Sequence, residues 1–196
     1  MFALLLTMAL LTGPVAAEDS VNRNDEALAL ISFPWQQLNY NIVFVAPKPG
    51  IRAMIFPNDR RIEVYARPTD GSRVLAYDIA HELGHAIDLT FNTAESRKLW
   101  MAARGISPDT PWFGCSGCSD YKTPAGDFAE TFAFLLLGPG NFSGRIASAP
   151  TSEQIPTLKA FFVKELEPSP VNPTDAIEAQ ASTAEEPVES PPLAKQ

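Results

Sequence analysis

Both histidines of this chain lie in one short segment, YDIAHELGHAIDL, which spans residues 77–89. His81 and His85 are four residues apart, and residues at that spacing lie one above the other on the same face of a helix. Glu82 follows His81 directly, so the segment contains the arrangement His-Glu-x-x-His. On a helix this arrangement presents two imidazole ligands to a Zn²⁺ ion, with the glutamate beside the metal. The alternative is a pair of histidines that are only hydrogen-bonded inside a core helix.

A polar stripe crosses this otherwise apolar segment. Asp78, His81, His85 and Asp88 follow one another at spacings that keep them on one helical face. A buried polar group costs about 2–7 kcal/mol unless it is paired, and carboxylates commonly hydrogen-bond metal-ligating histidines. Asp88 is therefore predicted to hydrogen-bond a metal ligand. A hydrogen bond from its carboxylate to neighbouring backbone is the alternative.

The third metal ligand must be an acid or a cysteine, because the chain has no further histidine. Glu130 is the predicted ligand, since a carboxylate within the apolar segment DFAETFAFLLL (127–137) needs a cation. Asp127, one turn earlier on the same face, is predicted to support the site by hydrogen bonding. Two alternatives stay open: Asp127 and Glu130 fit a helix capping box, and Asp88 is the next candidate ligand.

The order of local patterns predicts the fold class. Three runs rich in β-branched and aromatic residues, separated by turn residues, predict strands, the last antiparallel to its predecessor. Helical patterns follow after a short helical entry at 25–38. Strands before helices predict an α+β fold, with a small sheet packed on the histidine helix and on the Glu130 helix. The strand runs are 40–47, 51–58 and 60–68, and the helical ones are 73–91, 94–106, 127–138 and 151–166.

The two ends of the chain are predicted to lie outside this domain. Residues 1–17 combine a short apolar run, a Gly-Pro break and small residues, a pattern typical of a secretory signal peptide. An uncleaved membrane anchor is the alternative, but the run is short for a bilayer. Residues 167–196 are rich in Pro, Ala and Glu and predict a disordered acidic tail. The folded domain is thus predicted to cover residues 18–166 of a secreted or periplasmic protein, without stable membrane insertion once the signal is cleaved.

The charge of the chain argues against a nucleic-acid partner. The net charge is −8, and much of it lies in the tail, which has six acidic residues and one lysine after residue 166. The remaining domain is only mildly acidic. No basic stretch is concentrated enough to indicate binding to nucleic acid.

The cysteines form the isolated pair Cys115 and Cys118 in the segment GCSGC. In a secreted chain such a pair predicts a disulfide, which would pin the loop that leads into the Glu130 helix. A cysteine as third metal ligand is the alternative. It would be similar to peptide deformylases, whose cysteine motif precedes the histidines.

HELGHAID (81–88) followed by DFAETFAFLL (127–136) resembles zincin metallopeptidases with a glutamate as third ligand, above all the catalytic domain of the anthrax lethal factor type. The resemblance covers about residues 40–140. It implies a zincin-like fold in which one zinc ion is held by His81, His85 and Glu130, with Glu82 as general base. It also implies that RRIEVYA (60–66) is the edge strand along which a peptide substrate lies.

These observations together predict a secreted zinc-dependent peptidase that acts on a peptide or protein substrate. Glu82 would take a proton from a zinc-activated water that attacks the peptide carbonyl. The resulting oxyanion needs a further donor, and this donor cannot be a histidine because both imidazoles are already used. Tyr121, in the loop just before the Glu130 helix, is the predicted donor, and a purely structural role in that loop is the alternative. Two alternatives are a catalytically silent zincin-fold protein that binds metal or peptide, and a disulfide-stapled domain without metal.

Overall fold

The computed structural model of the protein describes residues 15–114 and 119–163. The fold is α+β, as predicted, and the strands precede helices α2 to α5. Most of the predicted signal peptide, the predicted Cys115–Cys118 disulfide and the predicted acidic tail lie outside the described residues. The helices are α1 (Val15–Ala29), α2 (Ser72–Phe91), α3 (Ala94–Arg104), α4 (Pro124–Leu137) and α5 (Ile155–Val163), and the strands are β1 (Asn41–Val45), β2 (Ala53–Phe56) and β3 (Arg61–Tyr65).

Within the described residues the strands form one mixed sheet in the order β1-β3-β2. β3 pairs antiparallel with β2, as predicted, and parallel with β1. The expectation that RRIEVYA is an edge strand is therefore wrong, because β3 is central. Ile62 and Val64 of this strand are fully buried, which agrees with a position between two neighbours. β2 is an edge strand and lies beside the histidine helix.

Helix α2 forms the centre of the domain because its apolar residues cover more than one face. Leu75, Ile79 and Leu83 are fully buried, and α2 packs most extensively against α4 and then against α1. Gly84 makes the contact with α4 possible, since a Cβ there would lie 2.6 Å from Ala129 Cα. The two helices that carry the predicted metal ligands therefore pack backbone to backbone.

Helix α4 begins three residues before the predicted start. Thr123 is its N-cap and accepts a hydrogen bond from the Gly126 N–H at 3.0 Å, and Pro124 occupies the first turn. This pairing of a hydroxyl cap with a proline is a strong helix start. The alternative in which Asp127 caps the helix and Glu130 completes a capping box is therefore wrong. Both carboxylates lie inside the helix.

The segments that flank the site also belong to the core. The helical entry predicted for 25–38 divides into the end of α1 and a 3₁₀ turn at Trp35–Leu38. Phe33 packs edge to face on Phe132 of α4, with ring centroids 5.1 Å apart, and Leu158 of α5 is fully buried. Among the helices of the described ranges, none is long and apolar enough to cross a membrane.

Candidate metal centre

The structure brings both histidines to one carboxylate. His85 Nε2 lies 3.2 Å from Asp120 Oδ2, and His81 Nε2 lies 3.6 Å from the same oxygen. One ligand atom from each of the three residues lies within 4.8 Å of the others. Ligands about 2.0–2.1 Å from a tetrahedral zinc are about 3.3 Å from one another, close to the two observed separations. His81, His85 and Asp120 could therefore hold a metal ion.

The sequence analysis did not identify Asp120 as a candidate. Asp120 is held by the turn that starts α4: its carbonyl accepts hydrogen bonds from the N–H and the hydroxyl of Thr123, at 3.2 and 3.0 Å. Gly126 lets this turn lie against the helix, because a Cβ at Gly126 would lie 2.7 Å from Asp120 Cβ. Two features of the sequence could have indicated Asp120. It directly precedes Tyr121, which was predicted to be catalytic, and a Thr-Pro helix start follows shortly after Tyr121.

Glu130 lies on the other side of the His81 ring. Its Oε2 accepts from His81 Nδ1 at 2.8 Å, shorter than the separation expected between two ligands of one zinc. Its Oε1 accepts from the Ser143 N–H and from the Tyr77 hydroxyl, and only 2 % of the residue is exposed. Carboxylates in this position fix the tautomer and orientation of metal-binding histidines. That Glu130 is a direct metal ligand stays a prediction. In the structure Glu130 contacts Nδ1 of the His81 ring, whereas Asp120 lies near Nε2 of the same ring.

The charges of the cluster depend on one another. Burial alone would lower the pKa of His81, but hydrogen bonds to Asp120 and Glu130 raise that pKa to about 10. Burial would raise the pKa of Asp120, yet its contacts with the two imidazoles hold the pKa well below its usual range. Burial raises the pKa of Glu82, while the positive charges of His85 and His81 act in the opposite direction. These shifts make Glu82 a better proton acceptor than an exposed glutamate.

A cleft of about 920 Å³ opens onto the cluster. Glu82 lines this cleft beside both histidines, and only 8 % of the residue is exposed. Tyr121 also lines the cleft and is 51 % exposed. The segment 50–55, which includes most of edge strand β2, forms one wall. The structure therefore groups Glu82 and Tyr121 with the metal cluster, and their predicted roles remain predictions.

Asp88 and Asp127 have other partners. Asp88 accepts hydrogen bonds from Asn92, Arg97 and Trp112. Asp127 accepts from the Trp100 indole N–H and from the guanidinium of Arg104. Their described hydrogen bonds therefore do not support the predicted contact with a metal ligand for either carboxylate.

The remaining acid near the site is Asp78, which forms a close ion pair with Arg52 at 2.7 Å on the wall of the cleft. The site as a whole combines two imidazoles and the carboxylate of Asp120 with Glu82, which lines the same cleft. That set can bind a divalent ion and move a proton beside it.

Comparison with known proteins assigns no family, since no family model, no curated protein and no solved structure matches the chain.

Proposed function

We propose that the protein is a secreted zinc-dependent peptidase with a zincin-like active site. The observation that carries this proposal is the convergence of His81, His85 and Asp120 on one point, with Glu82 in the same cleft. Two imidazoles and one carboxylate are a common ligand set for catalytic zinc. In this proposal Asp120 completes the set, and Glu130 orients His81.

Glu82 is the residue proposed to move the proton. Zinc at this site would supply Lewis-acid chemistry, acidifying a water and polarising a carbonyl. Glu82 would accept the proton released as the water attacks the carbonyl and deliver it to the leaving amine. Its position in the cleft beside both histidines and its raised pKa support this role.

The free edge of β2 supports a peptide substrate. The Tyr65 N–H donates to the Arg52 carbonyl at 2.8 Å, so Arg52 points its main chain toward β3. In an antiparallel pair the orientation alternates, and Ala53 and Ile55 therefore direct their main-chain N–H and C=O groups toward the other edge. Both residues line the cleft. An extended peptide can add to such an edge as a further strand, which would place its backbone beside the histidines.

Tyr121 remains the proposed donor to the oxyanion. It follows Asp120 directly and presents its side chain to the cleft. Loss of one such donor typically slows the chemical step about 10²–10³-fold. We therefore expect Tyr121→Phe to lower kcat by that amount with little change in KM or in bound zinc, measured on a peptide that the wild type cleaves.

The test compares Glu82→Gln with Glu95→Gln, a control change of the same type at an exposed position on α3. We expect one zinc per chain in all three proteins, and casein cleavage by the wild type and the control. Glu82→Gln should lose about 10²–10⁴-fold in rate. Zinc-loaded wild type that cuts neither casein nor a broad peptide library would instead favour a silent metal- or peptide-binding protein.

A further inference from the structure

We infer that Asp88 is a positioning residue that holds an apolar wall of the cleft in place. This wall, formed by Leu89, Phe113 and Tyr121, selects a substrate with a large apolar side chain beside the scissile bond. This inference rests on the proposed peptidase function. It gives Asp88 a role at the substrate subsite, separate from the support of a metal ligand predicted from its spacing.

The hydrogen bonds of Asp88 join α2 to the segments that support this wall. Asp88 is fully buried, and its Oδ1 accepts from Arg97 Nε at 2.9 Å and from Asn92 Nδ2 at 2.8 Å. Its Oδ2 accepts from Trp112 Nε1 at 2.8 Å and from Arg97 Nη2 at 3.1 Å. One carboxylate on α2 thus holds both α3 and the segment that follows α3. Such charge-assisted hydrogen bonds are stronger than neutral ones.

Arg97 transmits this constraint to Phe113. The Arg97 guanidinium lies 5.3 Å from the centre of the Trp112 ring and 5.0 Å from the centre of the Phe113 ring, within the range of cation–π attraction. Because Asp88 holds both the guanidinium and Trp112, the position of Phe113 depends on Asp88. Phe113 itself lines the cleft.

The side chains of this wall are unusually exposed for their type. Leu89, Phe113 and Tyr121 are 41 %, 47 % and 51 % exposed, and all three line the cleft. Leu89 lies one helical turn beyond His85, and Tyr121 follows Asp120, so the apolar wall adjoins the metal cluster. Large apolar groups clustered at an open site indicate a binding surface. The occupant that fits this place is the apolar side chain of a peptide whose carbonyl lies at the metal.

A pair of zinc-directed ligands tests the inference without requiring turnover. N-acetyl-phenylalanine hydroxamate and N-acetyl-alanine hydroxamate differ only in the apolar group, and calorimetry on zinc-loaded protein gives the ratio of their affinities. We expect the wild type to prefer the phenylalanine compound about tenfold or more. In Asp88→Asn and in Phe113→Ala the ratio should fall towards one while zinc affinity stays unchanged. Phe113→Ala changes an exposed side chain and keeps the test valid if Asp88→Asn fails to fold.

Two matched controls separate this role from general loss of stability. Asp127→Asn breaks a similar contact of an aspartate with an arginine and a tryptophan, but Asp127 does not line the cleft. Leu99→Ala removes an exposed apolar side chain that is not part of the wall. Both controls should keep the wild-type affinity ratio.

Several results would overturn the inference. A wild-type ratio near one would remove the apolar subsite, and an unchanged ratio in Asp88→Asn would remove the positioning role. A 10–100-fold loss of zinc affinity in Asp88→Asn would show that Asp88 supports a metal ligand instead. In each of these cases casein cleavage by the wild type would leave the proposed function standing. Failure of the wild type to bind zinc or either hydroxamate would overturn the proposed function and this inference with it.

Discussion

The two carboxylates beside His81 should respond differently to the loss of their charge. Asp120 lies near the Nε2 atoms of both histidines, whereas Glu130 accepts from His81 Nδ1. If Asp120 is a ligand and Glu130 an orienting group, Asp120→Asn should lose more zinc affinity than Glu130→Gln. Glu130→Gln should in turn lose more folding stability.

The expected sizes follow from the contacts. Structural zinc sites bind with about 10–16 kcal/mol over four ligands, so one ligand is worth about 2.5–4 kcal/mol, or roughly 10²–10³-fold in affinity. Loss of a carboxylate that orients a ligating histidine costs about 10–100-fold. In Glu130→Gln one buried amide would face several hydrogen-bond donors, so at least one donor loses its acceptor, at a cost of about 1–3 kcal/mol. The side chain of Asp120 is 46 % exposed, so water can solvate an asparagine there.

Two measurements on each variant provide the test. Zinc affinity comes from competition with a chelating dye at fixed pH, and stability comes from urea unfolding of the metal-free protein. Asp109→Asn serves as control, since Asp109 is exposed in the loop between α3 and Asp120. If Glu130→Gln loses as much zinc affinity as Asp120→Asn, Glu130 is a direct ligand, as the sequence predicted. The assignment of Asp120 as ligand and Glu130 as orienting group, which rests on the His81 nitrogen that each contacts, then fails.

Three further expectations concern the same cluster. Gly126→Ala should push the turn that contains Asp120 away from α4. This should weaken zinc binding, measured by dye competition, and lower the free energy of unfolding by about 1–3 kcal/mol, measured by urea unfolding. Unchanged zinc affinity would contradict the positioning of Asp120 by this turn. Gly84→Ala gains about 1 kcal/mol in helix propensity, but its methyl group would lie 2.6 Å from the backbone of Ala129. This clash should outweigh the gain and lower the Tm by several degrees. A raised Tm would show that α2 and α4 can separate freely. Zinc binding at pH 8 should release about two protons: one from His81, whose pKa is about 10, and nearly one from the bound water, whose pKa zinc lowers to about 7. Calorimetry in buffers of different ionisation enthalpy measures the number, and release of only one proton would contradict the raised pKa of His81.

Local patterns were sufficient to predict most helices and strands. α2 was predicted within one residue of its observed start, because its apolar periodicity is strong and extends over 20 residues. The antiparallel pairing of β2 and β3 followed from the short turn between them. The central position of β3 could not be read in the same way, because it depends on a parallel partner, β1, that is distant in the chain.

The parts of the site missed by the sequence analysis depend on contacts between distant segments. Asp120 lies in a Gly- and Ser-rich loop without periodicity, and only the fold brings it 35 residues back along the chain to His85. Asp88 was predicted to hydrogen-bond a metal ligand, but the partners that the structure shows for it are Asn92, Arg97 and Trp112. Arg97 and Trp112 lie on α3 and in the loop after it, so their approach depends on how α3 turns back against α2. Spacing on one helix identifies which side chains share a face, but not what other elements place opposite them.

A proton on His81 explains how two carboxylates can lie close to one imidazole ring. Asp120 and Glu130 approach His81 from opposite edges of the ring, and each carboxylate accepts from one of its nitrogens or lies near it. Two carboxylates about one ring apart repel each other unless a positive charge lies between them. The raised pKa of His81 supplies that charge at neutral pH, so the imidazolium occupies the electrostatic position that a divalent ion would take. Binding of a divalent ion at this site would then exchange one cation for another, and acid would compete with that ion for the imidazole.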